Sequence, residues 1–398
     1  MDATLPNTGE LLTAAADRDT RLRERFATVG IDPQGVTGVR DLDALPVMGK
    51  DDLVGTPVDT AALLTTGAGP APRVFQSPGP LYEIQPPGPD PWRWAEVLRD
   101  LGVQGGDVVL NCFGYHLSPA GAMFDEAITA AGATVLPGGI GNQDLQVRAI
   151  GDLGVRGYIG LPSYLKALID RFVESEGQDA SGAGTFPVEY ALVTAEPLPP
   201  SLREALEEHV ATVRMAYGTA EVGTIAFEDG TGPGMRLGTG IDVEVCDPLT
   251  GVPVRDGTQG EVVVSVLREH GPIVRFGTGD LSAWVVDDSG TPVTGEDGRA
   301  RLAGVLGRTG QAIKVRGMFL HPRQAHAALA GTAGVDAFRF VIDRADHKDT
   351  VVLEYVGQAD PDGLAEQVRS SLRFRVDVRA VDALPDDAGV LDDRRTWD

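Results

Sequence analysis

Lysine is what this sequence most lacks: Lys50, Lys166, Lys314 and Lys348 are the only four in 398 residues. With a formal net charge of -24 and no cluster of basic residues, nothing here resembles the electrostatic footprint of a nucleic-acid binder, and an anionic membrane surface is equally unsuited. Cysteine is nearly absent too. Cys112 and Cys246 sit in apolar, strand-like runs without a pairing spacing, and the six histidines are scattered, so neither a disulfide framework nor a Cys/His zinc site is expected. No apolar run approaches a membrane span, and Met1-Asp-Ala-Thr-Leu-Pro6 carries no basic region followed by an apolar stretch. A cytoplasmic location is the expectation. What remains, 42% apolar and 23% charged residues, suits a soluble globular chain of two or three domains.

The chain reads as a helical N-terminal layer (Leu11, Leu22 and Phe26 at helical spacing), then a Gly- and Pro-dense stretch from Thr65 to Pro91, then an alternation of helices and strands. Lys50 reads as a solvated helix-start residue. Strands are expected at Asp107–Cys112, Ala133–Pro137, Gly157–Leu161, Tyr190–Val193 and Thr212–Ala216. Helices are expected through Val97 and Leu98, then at Ser118–Ala131, Asn142–Leu153, Pro162–Glu176 and Pro199–His209. Repeated strand, helix, strand units of this length imply a mostly parallel sheet covered on both faces. From Gly238 the pattern shortens to hairpin-like strands, Asp242–Cys246, Gly260–Ser265 and the run Pro272–Ser282, which reads as a small antiparallel, barrel-like subdomain. An acidic, glycine-rich connection, Asp287–Asp297, reads as prone to disorder. The last segment alternates helix and strand again and gives a compact α+β domain. The fold class is therefore α/β, with a large domain over 1–304 and a small, mobile C-terminal domain over 305–398.

Ligands of parallel sheets sit beyond the carboxyl ends of the strands, so the loops there supply the candidates. They are Tyr115 and His116, Gly138 and Gly139, Ala195 and Glu196, and Tyr217, Gly218, Thr219 and Glu221. Aromatic and glycine residues make a slot for a flat organic acid or a purine, and a glutamate at such an edge can coordinate magnesium through oxygen. His116 reads equally as an ordinary loop histidine, and Glu221 as a helix-start glutamate. The Gly/Ser turn containing Ser77 and Gly79 could offer backbone N–H groups to phosphate or be a rigid surface loop, since Pro78 and Pro80 each remove a donor. Asp280 stands in a glycine-flanked turn after the half-buried strand Val274-Arg-Phe276. There it could accept bonds from two ribose hydroxyls or merely cap the next element.

Taken together, Tyr217-Gly-Thr-Ala-Glu221, Arg275-Phe-Gly-Thr-Gly-Asp280 and Gly307-Arg308 with Lys314-Val-Arg-Gly317 resemble, in order and spacing, the adenylate-forming acyl ligases, and most of all their phenylacetate-coenzyme A ligase-like branch. Asn111-Cys-Phe-Gly-Tyr115, Gly138-Gly-Ile-Gly-Asn142, Leu161-Pro-Ser-Tyr164 and the N-terminal Leu45–Leu53 add to the likeness, which spans nearly the whole chain. The resemblance implies an enzyme that joins a small aromatic carboxylic acid to ATP as an acyl adenylate and then passes it to coenzyme A or to the thiol of an acyl-carrier protein. It implies ATP/AMP and magnesium as further ligands and leaves room for a homodimer. By the same likeness Asp280 would hold the ribose and Glu221 the magnesium. Tyr217, Gly218, Thr219, Ala195 and Glu196 would flank the nucleotide, and Ser77 and Gly79 the phosphates. Tyr115, His116, Gly138 and Gly139 would border the acyl group, while Arg308 begins the mobile domain and Lys314 serves the thioester step.

The departures cluster on phosphate chemistry. Gln76-Ser-Pro-Gly-Pro80 replaces the family's Ser/Thr/Gly-rich loop with its lysine, Ala220 replaces a threonine, and Gly389 stands where a catalytic lysine is expected. A charged donor aimed at developing charge is worth ~10²–10³ in rate, so its loss should cripple adenylation unless Arg394 or Arg395 substitutes. A diverged homologue that only transfers an acyl group from a preformed adenylate or thioester, or a non-catalytic binding partner, is the alternative.

Overall fold

The computed structural model describes residues 8–49, 65–66, 69–77, 81–176, 185–268, 271–309, 313–315, 318–320, 322–345, 348–372, 375–385 and 389–395. Lys50, Pro78, Gly79 and Pro80 lie outside these residues, as do the side chains of Ser77 and Lys314.

Helices α1 (Thr8–Arg18) and α2 (Thr20–Val29) form the N-terminal layer. The Asp19 side chain accepts from Arg21 N and Leu22 N at the start of α2, and Gly30, at φ 70°, ends it. Short strands β1 (Thr65–Thr66), β2 (Gly69–Pro70), β3 (Val74–Ser77) and β4 (Leu81–Ile84) come next. Helix α3 (Ala95–Leu101) is capped by Asp90, which accepts from Trp94 N and Ala95 N at 3.0 and 2.7 Å. The alternation expected from the sequence follows: β5 (Val108–Asn111), α4 (Ala120–Ala131), β6 (Thr134–Pro137), α5 (Gln143–Leu153), β7 (Gly157–Gly160), α6 (Pro162–Glu176), β8 (Tyr190–Val193), α7 (Pro200–Glu207) and β9 (Thr212–Thr219). Strands β10 (Gly223–Phe227) and β11 (Arg236–Leu237) turn back on β9, giving a seven-stranded sheet in the order β11-β10-β9-β8-β7-β5-β6. The five strands from β9 to β6 are parallel. Strands β7 and β8 are buried along their whole length because helices cover both faces, which is why they are written as unbroken apolar runs.

Strands β12 (Asp242–Cys246), β13 (Gly260–Val266), β14 (Ile273–Ser282) and the short β15 (Gly307–Arg308) make a four-stranded sheet in that order, with β13 and β14 antiparallel. Asp287–Asp297 was expected to be disorder-prone and is instead built from tight turns. Asp287 Oδ1 accepts from Ser289 N and Thr291 N, both at 2.9 Å, and isolated bridges join Val286 to Pro292 and Thr294 to Ala300. Asp287 and Asp297, two of the carboxylates that suggested disorder, are Asx-turn acceptors.

The chain divides into two compact units. One comprises Met1–Val245 and Pro253–Gly307, and the other Arg308–Asp398 together with Cys246–Val252. The second contains β16 (Ile313–Val315), β17 (Met318–Leu320), α8 (Pro322–Leu329), β18 (Val335–Ala345), β19 (Lys348–Gly357), α9 (Pro361–Leu372), β20 (Asp377–Ala380) and β21 (Leu391–Asp393). Its four-stranded sheet runs β20-β19-β18-β21 over a core of Leu320, Leu329, Phe340, Leu353 and Leu364. Strand β21 was not foreseen. It pairs parallel to β18 through Phe340 and Leu391, and its three residues are too few to carry a pattern.

Candidate active site

Strand order reverses at β5, which has β6 on one side and β7 on the other, so the loops leaving β5 and β7 part and open a crevice at the carboxyl ends. Into this end of the sheet the first unit brings most of the residues expected there.

Tyr217 lies on β9, which runs on to Thr219 where the sequence suggested a loop from 217. Its hydroxyl lies 3.0 Å from both Asp280 Oδ2 and Thr278 Oγ1, with one proton to donate between them, and both Tyr217 and Asp280 are buried. Gly218 cannot be larger: a Cβ there would meet Gly223 O at 2.4 Å and Trp94 Cζ2 at 2.6 Å. The Thr219 hydroxyl is buried with no hydrogen-bond partner among the described residues. Glu221 occupies the tip of the β9–β10 hairpin, not a helix start. That tip is held from outside the sheet, since Trp92 Nε1 donates to Ala220 O at 3.1 Å and Arg93 Nη2 to Val222 O at 2.6 Å.

Asp280 stands within strand β14, not in a turn. The glycines instead mark irregular pairing, because the β13–β14 register shifts between Glu261 and Val263 and again between Val264 and Val266. Gly279 is at φ 78° and its N–H donates to Glu261 Oε1 at 3.1 Å. A Cβ on Gly277 would sit 2.4 Å from that same oxygen. Arg275, expected on the solvated face of a half-buried strand, is also corrected: it is 3% exposed. It holds φ 51°, donates to Glu244 Oε2 at 3.1 Å and to Leu45 O at 2.8 Å, and also bonds Asp43 O. Met48 and Phe276 are bridged in parallel, so the N-terminal segment borders the strand that carries Asp280. Burial pushes the Glu244 carboxyl up, against the pull of Arg275.

On the other side, the β5 loop places Tyr115 with its hydroxyl 2.6 Å from Asp125 Oδ1, while Asn111 Nδ2 donates to both groups. Burial, and next the Asp125 bond, push the Tyr115 phenol well above its ordinary value, so it stays a donor. Its hydroxyl is thus engaged and its ring faces Gly139, where a Cβ would lie 3.8 Å from Tyr115 Cδ2. Gly139 is at φ 64°, and the carbonyls of Gly138 and Gly139 are held by Gln146 Nε2 at 3.0 and 3.1 Å. His116 is exposed on the same loop. Gln76 N, on β3, donates to Leu117 O at 2.9 Å, so the strand entering the 77–80 segment is tied to this loop. Ala195, at φ 68°, carries left-handed strain at the end of β8, and Glu196 accepts from Ser163 Oγ.

Arg308 and the backbone of Lys314 belong to the second unit, and Arg308 is exposed. Sequence reasoning missed Asp125, Thr278 and Glu261. Glu261 carried a weak signal, being the one charge in a strand that is otherwise Val, Ser and Gly. Asp125, one turn along α4 from Gly121, carried none.

A nucleotide suits this constellation: a buried carboxylate and a partnerless threonine hydroxyl are acceptors and donors for a hydroxyl-rich ligand. No group of three or more His, Cys, Asp or Glu that could hold a metal occurs among the described residues. Glu221 suits the mode in which magnesium takes one carboxylate and completes its shell with phosphate and water.

The family described as AMP-binding enzyme matches residues 127–266, which run from α4 to the end of β13 and include β9 with its Glu221 hairpin. Over that stretch the chain is similar to the AMP-binding enzymes. Along most of its length it is similar to phenylacetate-coenzyme A ligases. It is 29% identical over 333 residues to the phenylacetate-coenzyme A ligase of Thermus thermophilus, covering 77% of this chain and 70% of that one. To the phenylacetate-coenzyme A ligase of Escherichia coli it is 26% identical, covering 83% and 76%. The adenylate-forming fold is matched by the crystal structure of an open conformation of 2-hydroxyisobutyryl-CoA ligase, at TM-score 0.63 and 21% identity over 98% of this chain and 90% of that one. No helix among the described residues is long and apolar enough to cross a membrane.

Proposed function

We propose that this protein activates an aryl or arylacetic acid with ATP as an acyl adenylate and transfers the acyl group to coenzyme A or a carrier thiol. The observation that carries this reading is the buried Tyr217–Asp280 pair at the carboxyl ends of the parallel strands. Asp280 accepts the two ribose hydroxyls, the Tyr217 ring packs on the adenine, and Ala195 and Glu196 border it. Glu221 holds the magnesium, which when bound neutralises phosphate charge. The acid lies in the slot between the Tyr115 ring and Gly138–Gly139, with His116 at its mouth. There a carboxylate oxygen attacks the α-phosphorus, the bond to the β-phosphate oxygen breaks, and pyrophosphate leaves. In the second half-reaction the thiol sulfur bonds to the acyl carbon, its proton departs, and AMP leaves. Arg308 and Lys314, in the second unit, serve that step, for which the unit would turn as a body.

A second reading is favoured by the phosphate end. Ala220 offers no hydroxyl and its carbonyl is taken by Trp92, and Gly389 brings no charge. On this reading the protein binds a preformed adenylate or thioester and only transfers the acyl group. Pyrophosphate release with ATP, magnesium and a panel of aryl acids decides between them. Release with any acid supports adenylation, while none with every acid, alongside binding of a non-hydrolysable acyl adenylate, supports the transferase.

A further inference from the structure

Two arginines have buried N–H groups that find no acceptor among the described residues: Arg93 Nε, beside the Glu221 hairpin, and Arg268 Nη1. Arg93 precedes α3 with φ 64° and spends Nη2 on Val222 O at 2.6 Å and Thr224 O at 3.2 Å. Arg268 stands two residues beyond β13 and spends Nε on Gly271 O at 2.9 Å. Arg93 thus holds Val222 of an apolar core that also contains Ile241, Val266 and Ile273, and a Cβ on Gly240 would be 3.2 Å from Arg93 Cδ. Burial lowers both guanidiniums to about 10, so both stay charged at neutral pH. Asp90 and Glu96 oppose the effect at Arg93, while among the described residues the one charged group acting on Arg268 is the like charge of Arg93.

This chain has 58 acidic residues against 34 basic ones, yet among the described residues both guanidiniums bond backbone carbonyls and no carboxylate. Buried charge with unmade hydrogen bonds is costly, and a pair of like sign more so, unless an anion from outside the chain completes it. The guanidinium fork matches phosphate oxygens. We propose that Arg93 and Arg268 form a binding site for a phosphate-class oxyanion at the root of the hairpin that presents Glu221. The natural occupant is either the pyrophosphate released on adenylation, which rests on the function proposed above, or free orthophosphate, which does not. With pyrophosphate as occupant, the two arginines return cationic donors to a site whose phosphate loop has lost its lysine.

The test is calorimetric titration of sodium pyrophosphate and sodium orthophosphate into the full-length protein, with AMP as a separate titrant. Saturable binding of at least one of the two is expected. Arg268→Met should weaken it by about tenfold or more, as loss of a charge-assisted bond does, while AMP affinity, set at Asp280, stays unchanged and reports that the variant is folded. Arg93→Met should act likewise, and if loss of its grip on the hairpin prevents folding, Arg268→Met and Arg268→Lys carry the test. Tighter binding of pyrophosphate identifies the product, and equal or tighter binding of orthophosphate identifies free phosphate. The proposal is overturned if the wild-type protein binds neither anion, or if Arg268→Met binds them as the wild type does. Failure of AMP to bind, with the anion bound, would count against the adenylate reading and leave the anion site standing.

Discussion

The Tyr217 hydroxyl lies 3.0 Å from Asp280 Oδ2, and this one bond joins the last parallel strand of the large sheet to the antiparallel sheet at the carboxylate that carries the functional reading. Removing Asp280 as Ala should weaken AMP binding by at least about tenfold, since a charged acceptor of two hydroxyls is lost. Tyr217→Phe should cost less, because the ring stays and only the orienting bond goes. Isothermal titration with AMP checks both, and unchanged affinity in Asp280→Ala would remove the ribose assignment.

Glu221→Gln should raise the magnesium concentration needed for half-maximal pyrophosphate release, with little change in the melting temperature, since the side chain sits at a hairpin tip. A magnesium titration that superimposes on that of the wild type would show that the metal is held elsewhere.

Gly277→Ala places a methyl group 2.4 Å from Glu261 Oε1, the oxygen that takes the Gly279 N–H. We expect a loss of about 1–3 kcal/mol in stability, accompanied by weaker AMP binding because Asp280 follows on the same strand. Denaturant unfolding read beside AMP affinity tests the linkage: destabilisation with native affinity would show that the bulge does not set the carboxylate.

Acid should loosen the first unit through Asp229. Burial pushes this carboxyl up, but the bonds from Arg301 and Thr231 more than offset it and hold it well below its ordinary 3.8. A depressed folded value means that the stabilisation is complete above the ordinary pKa and is lost as pH falls below it. Both side chains are nearly inaccessible, so Asp229→Asn should cost about 3–5 kcal/mol near neutrality. It should also flatten the acid limb of a melting-temperature profile between pH 5 and about 3.

Gly389→Lys should raise the rate of pyrophosphate release if the missing ammonium limits adenylation. No change would place the limit at the altered 77–80 loop instead. Gly389 is exposed and a Cβ there meets nothing closer than 3.4 Å, so the substitution is sterically permitted.

Most of the alternation from β5 to β9 was legible in the sequence because each helix keeps its 3.6-residue apolar period and each buried strand is a short unbroken run. Asp280 and Tyr217 were legible as members of motifs, but their mutual bond was not, because it joins strands 63 residues apart. Arg275 was misread for a physical reason. Alternation puts a charged residue between two apolar ones on the outer face, whereas here a bulge and a left-handed φ turn the guanidinium inward onto Glu244 and two carbonyls. Asp287–Asp297 was misread because composition registers carboxylates and glycines without seeing that Asp287 and Asp297 each close a turn.

The bond from Gln76 N to Leu117 O makes one mechanical edge of two loops that serve different substrates in the proposed reaction. A change that reshapes the wall around Tyr115 to admit a different acid also tugs on the strand that delivers the 77–80 segment. Acid selectivity and phosphate handling are therefore inherited together.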